Sequence, residues 1–115
     1  MLVEKLWGHE KTLVNNEKYC GKIIHVYKDK IGSWHYHKNK DETFYILTGK
    51  IKLKWSLNDN YTEANEIILN TGDTFRIFPE MRHQIVGLAD SDIIEVSTFD
   101  EDSDSIRVIS SENFI

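Results

Sequence analysis

From Lys50 to Leu57 the chain alternates apolar and polar residues without a break, as KIKLKWSL. On an extended backbone successive side chains point to opposite faces, so Ile51, Leu53, Trp55 and Leu57 share one side and Lys50, Lys52, Lys54 and Ser56 the other. This is the pattern of a strand with one buried and one wet face. The lysines read as a solvated face that also discourages edge pairing. A sustained 3.6-residue apolar period occurs nowhere. Short β-rich runs recur instead, at residues 19–27, 33–37, 43–48, 66–69, 74–78, 83–86 and 92–99. Turn-forming stretches separate them, at 28–32, 58–65 and 70–73, and Pro79 closes one run because it cannot donate to a ladder. Ile106, Val108 and Ile109 allow a last edge strand. Roughly eight to ten short strands with frequent turns predict an all-β fold, a closed or nearly closed antiparallel β-barrel or jelly roll.

A chain of 115 residues makes one domain, spanning 1–115, with residues 1–18 as an N-terminal arm ending in the turn VNNEK. Leu6 and Trp7 are expected to cover a barrel end or a partner subunit. Leu2, Val3, Leu6, Trp7 and Leu13 together are more apolar surface than a short arm readily hides, which predicts a homodimer. The net charge of −5 argues against a general nucleic-acid or anionic-membrane surface. No apolar run approaches the ~20 residues of a membrane span. The opening MLVEKLWGHE lacks the apolar core of a signal peptide. Cys20 is alone, so no internal disulfide forms and a reducing cytoplasm is the expected compartment. His25 has no spaced partner and reads as structural. The acidic run DEDSD at 100–104 lacks calcium-loop spacing and reads as a solvated loop.

The chemistry concentrates between Gly32 and Gly49. His35 and His37 are two apart, so both imidazoles point to one side of a strand. After loop residues 38–41, a tight reversal and a return strand would bring Glu42 back beside them. His83, in the second segment from Gly72 to Gly87, is the candidate for a fourth ligand. Imidazoles and a carboxylate converging on a point make a ligand set for a divalent transition metal, and zinc, manganese, iron, nickel and cobalt all accept it. Three nitrogens and one oxygen leave coordination positions open, as a catalytic or substrate-binding metal requires.

These two segments resemble the motifs of the cupin family. The first is His35-x-His37-x4-Glu42-x6-Gly49 and the second Gly72-x6-Pro79-x3-His83, although Met81 and Arg82 stand where a glycine is usual. The resemblance implies a jelly-roll barrel and assigns ligand roles to His35, His37, Glu42 and His83. A narrower likeness is to the cupin domain of type II mannose-6-phosphate isomerases and mannose-1-phosphate guanylyltransferases. It is carried by Trp7-Gly8, Ser33-x2-Tyr36-His37, Ile94-Glu95-Val96 and Asp104-x-Ile106-Arg107. That likeness implies a sugar phosphate or nucleotide sugar as the small-molecule partner, and an isomerase or epimerase. Isomerisation needs a base that moves a proton between neighbouring carbons. Glu42, Lys40, Tyr36 and Glu95 are the candidates, while Arg82 and Arg107 are candidates to hold a phosphate. A non-catalytic carbohydrate-binding or partner cupin is the alternative, and metal-dependent dioxygenase chemistry a weaker one.

Overall fold

The alternating segment is indeed a strand, and its inner residues Ile51 and Leu53 are fully buried. The phase fails at its end: Trp55 is only half-buried, Ser56 is buried and Leu57 lies past the strand, 73% exposed. The computed structural model describes residues 2–114. In chain order the strands are β1 (Leu2–Lys5), β2 (Gly8–Asn15), β3 (Cys20–Val26), β4 (Trp34–His37), β5 (Glu42–Thr48), β6 (Lys50–Ser56), β7 (Asn65–Asn70), β8 (Thr74–Ile77), β9 (Arg82–Gly87), β10 (Ser91–Ser97) and β11 (Ser105–Ile109). Among the described residues the only helical elements are three short 3-10 turns.

The strands form two antiparallel sheets. One runs β1-β2-β3-β10-β5-β8 and the other β11-β4-β9-β6-β7. This is the jelly-roll architecture expected from the strand count. The N-terminal segment, expected as an arm, is built into the sheet. β2 pairs with β3 along its length and β1 pairs with β2, so the segment extends the first sheet by two strands. Leu2, Leu6 and Leu13 nevertheless stay more than half exposed in the single chain. The lysine face of β6 is not simply solvated either. Lys52 and Lys54 reach Glu66 on β7, and Lys54 Nζ sits 3.9 Å above the Tyr61 ring.

Polarity changes along the inner face of the first sheet, and this gradient positions the site. Reading up the three central strands, Val26, Ile93 and Ile46 are buried at one end. Ile24 and Phe44 follow, and then come Lys22, Glu95 and Glu42. The apolar end packs on Ile51 and Leu53 of the facing sheet to form the core. Each such side chain contributes roughly 1.5–3 kcal/mol of burial. The polar end cannot close on itself in the same way, and a cavity opens there.

Gly49, between β5 and β6, has φ +99°, and a Cβ there would collide with Ser91 Oγ and lie 2.6 Å from the Asp90 carbonyl oxygen. Gly72 has φ +93° with nothing within 4 Å of the same position. Gly72→Ala should therefore cost only the left-handed backbone, about 1 kcal/mol. Gly49→Ala adds a clash with the buried Ser91 and the Asp90 backbone and should cost at least about twice that. Urea denaturation of the two variants compares them directly, and equal losses would contradict the close approach at Gly49.

Candidate metal centre

His35 and His37 share the inner face of β4, as their spacing requires, and His83 comes from β9, directly opposite His35 in register. One ring nitrogen from each of the three lies within 4.8 Å of the others. Two rings are oriented by their second nitrogen. His83 Nδ1 meets the Met81 carbonyl at 3.0 Å, and His35 Nδ1 meets the Ser33 carbonyl at 3.1 Å and its hydroxyl at 3.0 Å. This fixes the Nε2 atoms of both toward the centre, the usual arrangement of outer-shell partners around ligating histidines. His83 reaches this position although no glycine precedes it. Glu80 takes the left-handed conformation instead, φ +70°, and its N–H donates to the His37 carbonyl.

Glu42 faces the histidines, but not by the expected route. β4 and β5 do not pair as a hairpin. β4 belongs to the second sheet and β5 to the first, so residues 38–41 cross from one sheet to the other. Asp104 holds the crossing: its carboxylate accepts from the Asn39 and Lys40 N–H groups at 2.8 and 3.0 Å, and its carbonyl from Lys38 N–H. Glu42 Oε2 then lies 3.3 Å from His37 Nε2 and 4.0 Å from His83 Nε2, buried and without a hydrogen-bond partner. A buried carboxylate oxygen with no partner is costly unless something else satisfies it.

The surrounding charges say what would. Lys40, 3% exposed, contacts Glu95 at 2.8 Å and Asp100 at 2.9 Å, and Lys22 contacts Asp100 at 2.7 Å and Glu10 at 3.5 Å. With Glu42, four carboxylates face two ammonium groups, leaving two negative charges unbalanced in a largely buried layer. A divalent cation among His35, His37, His83 and Glu42 carries the missing charge, so the donor set and the charge balance both fit one. Without the cation, burial and then the Glu95 charge raise the Glu42 carboxyl well above the usual range. Burial likewise pushes His37 and His83 down to about 3, and His35 well below its ordinary value. The imidazoles are thus held neutral, the form that binds metal.

The remaining site candidates divide. Glu95 and Lys40 line the cavity beside the histidines, and Arg107 stands opposite His35 in the β4–β11 pairing, at the cavity edge. Lys40 lies in the crossing segment but is buried, with its ammonium paired to Glu95 and Asp100. Burial opposes its charge, but Glu42 and Glu95 outweigh this and keep the ammonium protonated. Tyr36 and Arg82 alternate with the histidines and so fall on the outer face. There the Arg82 guanidinium stacks 3.8 Å over the Tyr36 ring and pairs with Asp59 at 2.7 Å, away from the centre. The acidic run is a solvated loop only in its middle, since Glu101 and Asp102 are exposed while Asp100 joins the buried charges and Asp104 is 5% exposed. Trp7, expected to cap an end, lines the cavity with Ile24, Phe44 and Ile85. No local spacing marks Trp7 or Asp100, because both reach the cavity through pairings far apart in sequence.

A sequence profile described as "Cupin domain" matches residues 23–97, which include all four candidate ligands. No curated protein matches the chain in sequence. Among solved structures, KdgF from Halomonas sp. superposes with a TM-score of 0.75 at 18% identity, covering 90% of this chain and 89% of that one. Oxalate decarboxylase from Bacillus subtilis gives 0.78 at 14% identity, covering 94% of this chain and 30% of that one. CapF gives 0.73 at 18% identity, covering 92% and 33%. The chain thus spans about a third of the length of the latter two, and at these identities the likeness is one of fold.

Two outcomes follow from the buried charges. Lys40→Met strands Glu95 beside Glu42, and breaking a buried pair from one side costs about 3–5 kcal/mol. Lys40→Met/Glu95→Gln should recover part of that loss, and urea titration measures both. The second outcome concerns pH in the metal-free protein. The histidines bind protons in the unfolded chain below about 6.5, but in the fold His37 and His83 do so only near 3 and His35 only well below its ordinary value. Their contribution is fully present at neutral pH and is lost as pH falls below about 6.5. Glu42, with a raised value, runs the other way, but only one such group opposes three histidines. The Tm of metal-free protein should therefore fall steadily from pH 7 to pH 5. A flat or rising Tm over that range would contradict the neutral cluster.

Proposed function

The chain belongs to the cupin family, and from that premise we propose that it is a metal-dependent enzyme isomerising or epimerising a small substrate of the sugar class. The observation that carries this reading is the setting of the histidine–glutamate centre. It opens into a cavity of about 1050 Å³ whose lining is part apolar and part charged. Trp7, Ile24, Phe44 and Ile85 give its lining apolar surface, and Lys22, Lys40, Glu95 and Asp100 set a dense group of donors and acceptors beside it. A sugar matches such a mixed lining, with C–H faces that pack on aromatic surface and hydroxyls that take hydrogen bonds.

His35, His37, Glu42 and His83 would hold a divalent cation, which polarises a substrate carbonyl and favours loss of the neighbouring proton. The chain's own groups have separate tasks. Glu95, positioned by Lys40 and by the Ser97 hydroxyl at 3.2 Å, is the carboxylate placed to take a proton from one carbon and return it to the next. Arg107 offers guanidinium donors to a substrate oxygen at the cavity edge. Trp7 and Ile85 exclude water from one side of the substrate.

One observation favours a second reading, ligand binding without turnover. Glu95 is already engaged by Lys40 and Ser97, so among the buried carboxylates beside the histidines only Glu42 has an oxygen without a partner. Proton exchange between substrate and heavy water separates the two. With metal restored, an aldose–ketose panel followed by NMR should show exchange at the carbon beside the carbonyl. Exchange should vanish in His37→Ala and fall at least about a hundredfold in Glu95→Gln, the low end for a lost general base. Binding of a sugar with no exchange on any panel member would establish the non-catalytic reading.

A further inference from the structure

We infer that the mouth of this cavity selects uncharged polyhydroxylated ligands and turns away their phosphorylated forms, an inference that rests on the cavity being the ligand site proposed above. Six charged residues ring the mouth. Glu4 and Lys5 come from β1, Glu101 and Asp102 from the segment after β10, Arg107 from β11 and Glu112 from the final 3-10 turn. All four carboxylates are exposed. They outnumber the two cations, so the mouth is net negative.

The charges deeper in do not reverse this. Lys22 and Lys40 are taken up by Glu10, Glu95 and Asp100, and a divalent cation at the centre only balances the two charges left over there. A phosphate dianion would enter against the field of the mouth and lose part of its hydration. In return it would find only Lys5 and Arg107 at the mouth. Among the described residues the cavity has no α-helix N-terminus, and the only helical turns are three or four residues long.

An uncharged ligand meets none of this opposition. Its hydroxyls can donate to Glu95 and Asp100 and accept from Lys22 and Lys40, while a C–H face rests on Trp7 and Ile85. Such a ligand leaves the charge balance of the buried layer intact. The selectivity thus lies in Glu4, Glu101, Asp102 and Glu112, on three separate parts of the chain that converge at the opening.

The test is calorimetric titration of the metal-loaded protein with mannose and fructose, each against its 6-phosphate, at low and high salt. At low salt the free sugars should bind at least about fivefold more tightly, from Coulomb repulsion by the mouth, and high salt should shrink the ratio. Two charge reversals on different elements, Glu101→Lys/Asp102→Lys and Glu4→Lys/Glu112→Lys, should each narrow or invert the ratio with bound metal unchanged. Tighter binding of the phosphates by the unaltered protein overturns the inference, as does a ratio that neither reversal moves. If neither form binds while metal loads normally, the sugar reading itself falls and the inference with it.

Discussion

Glu42, Glu95, Asp100 and Glu10 are brought together with Lys22 and Lys40 between two sheets where water is scarce. Ionised carboxylates in such a place are costly unless paired, and one partner removed is worse than both. Each group therefore holds its neighbours in place. Lys40 bridges the crossing segment to β10 and to the loop beyond it, and Lys22 ties that same loop to β3. The layer leaves one oxygen, Glu42 Oε2, with no partner inside the protein, and that oxygen faces three neutral imidazoles. The metal-binding character of the site follows from this imbalance as much as from the ligand types.

The two sheets divide the work. The second contributes all three histidines, and the first contributes the carboxylate and most of the charged wall. The centre thus forms only when the sheets close on each other. The apolar end of the sandwich, Ile46, Ile51, Leu53 and Ile93, supplies the burial that drives this closure. Stability and site geometry are separated along the same strands, one end packed and the other open. A cavity can be lined with buried charge here because the core beneath it is fully packed and does not depend on it.

Much of this was legible locally. A two-residue interval puts His35 and His37 on one face wherever β4 ends up, and the same rule puts Tyr36 on the other. The expectation that Tyr36 and Arg82 take part in the site ignored that alternation, since each is the immediate neighbour of an inward histidine. Lys40 looked like loop chemistry because its neighbours Asn39 and Asp41 are turn-formers, yet Asp104 caps the segment from 64 residues away and turns the lysine inward. Residues 1–18 carried too few β-branched side chains to read as strands. Their pairing with β3 overrides that weak local preference.

The sequence by itself determined the period of the strands, the identity of the four candidate ligands and the family motif that carries them. These depend on short intervals and on the two-residue repeat of an extended chain, which no tertiary contact changes. The tertiary structure alone decided that Glu42 reaches the histidines from the opposite sheet. It also decided that the lysines at 22 and 40 are buried ammonium groups, and that Trp7 and Asp100 line the cavity. Alternation tells which side a residue faces and nothing about what lies across from it. That depends on long-range strand pairing and on the balance of charge it encloses.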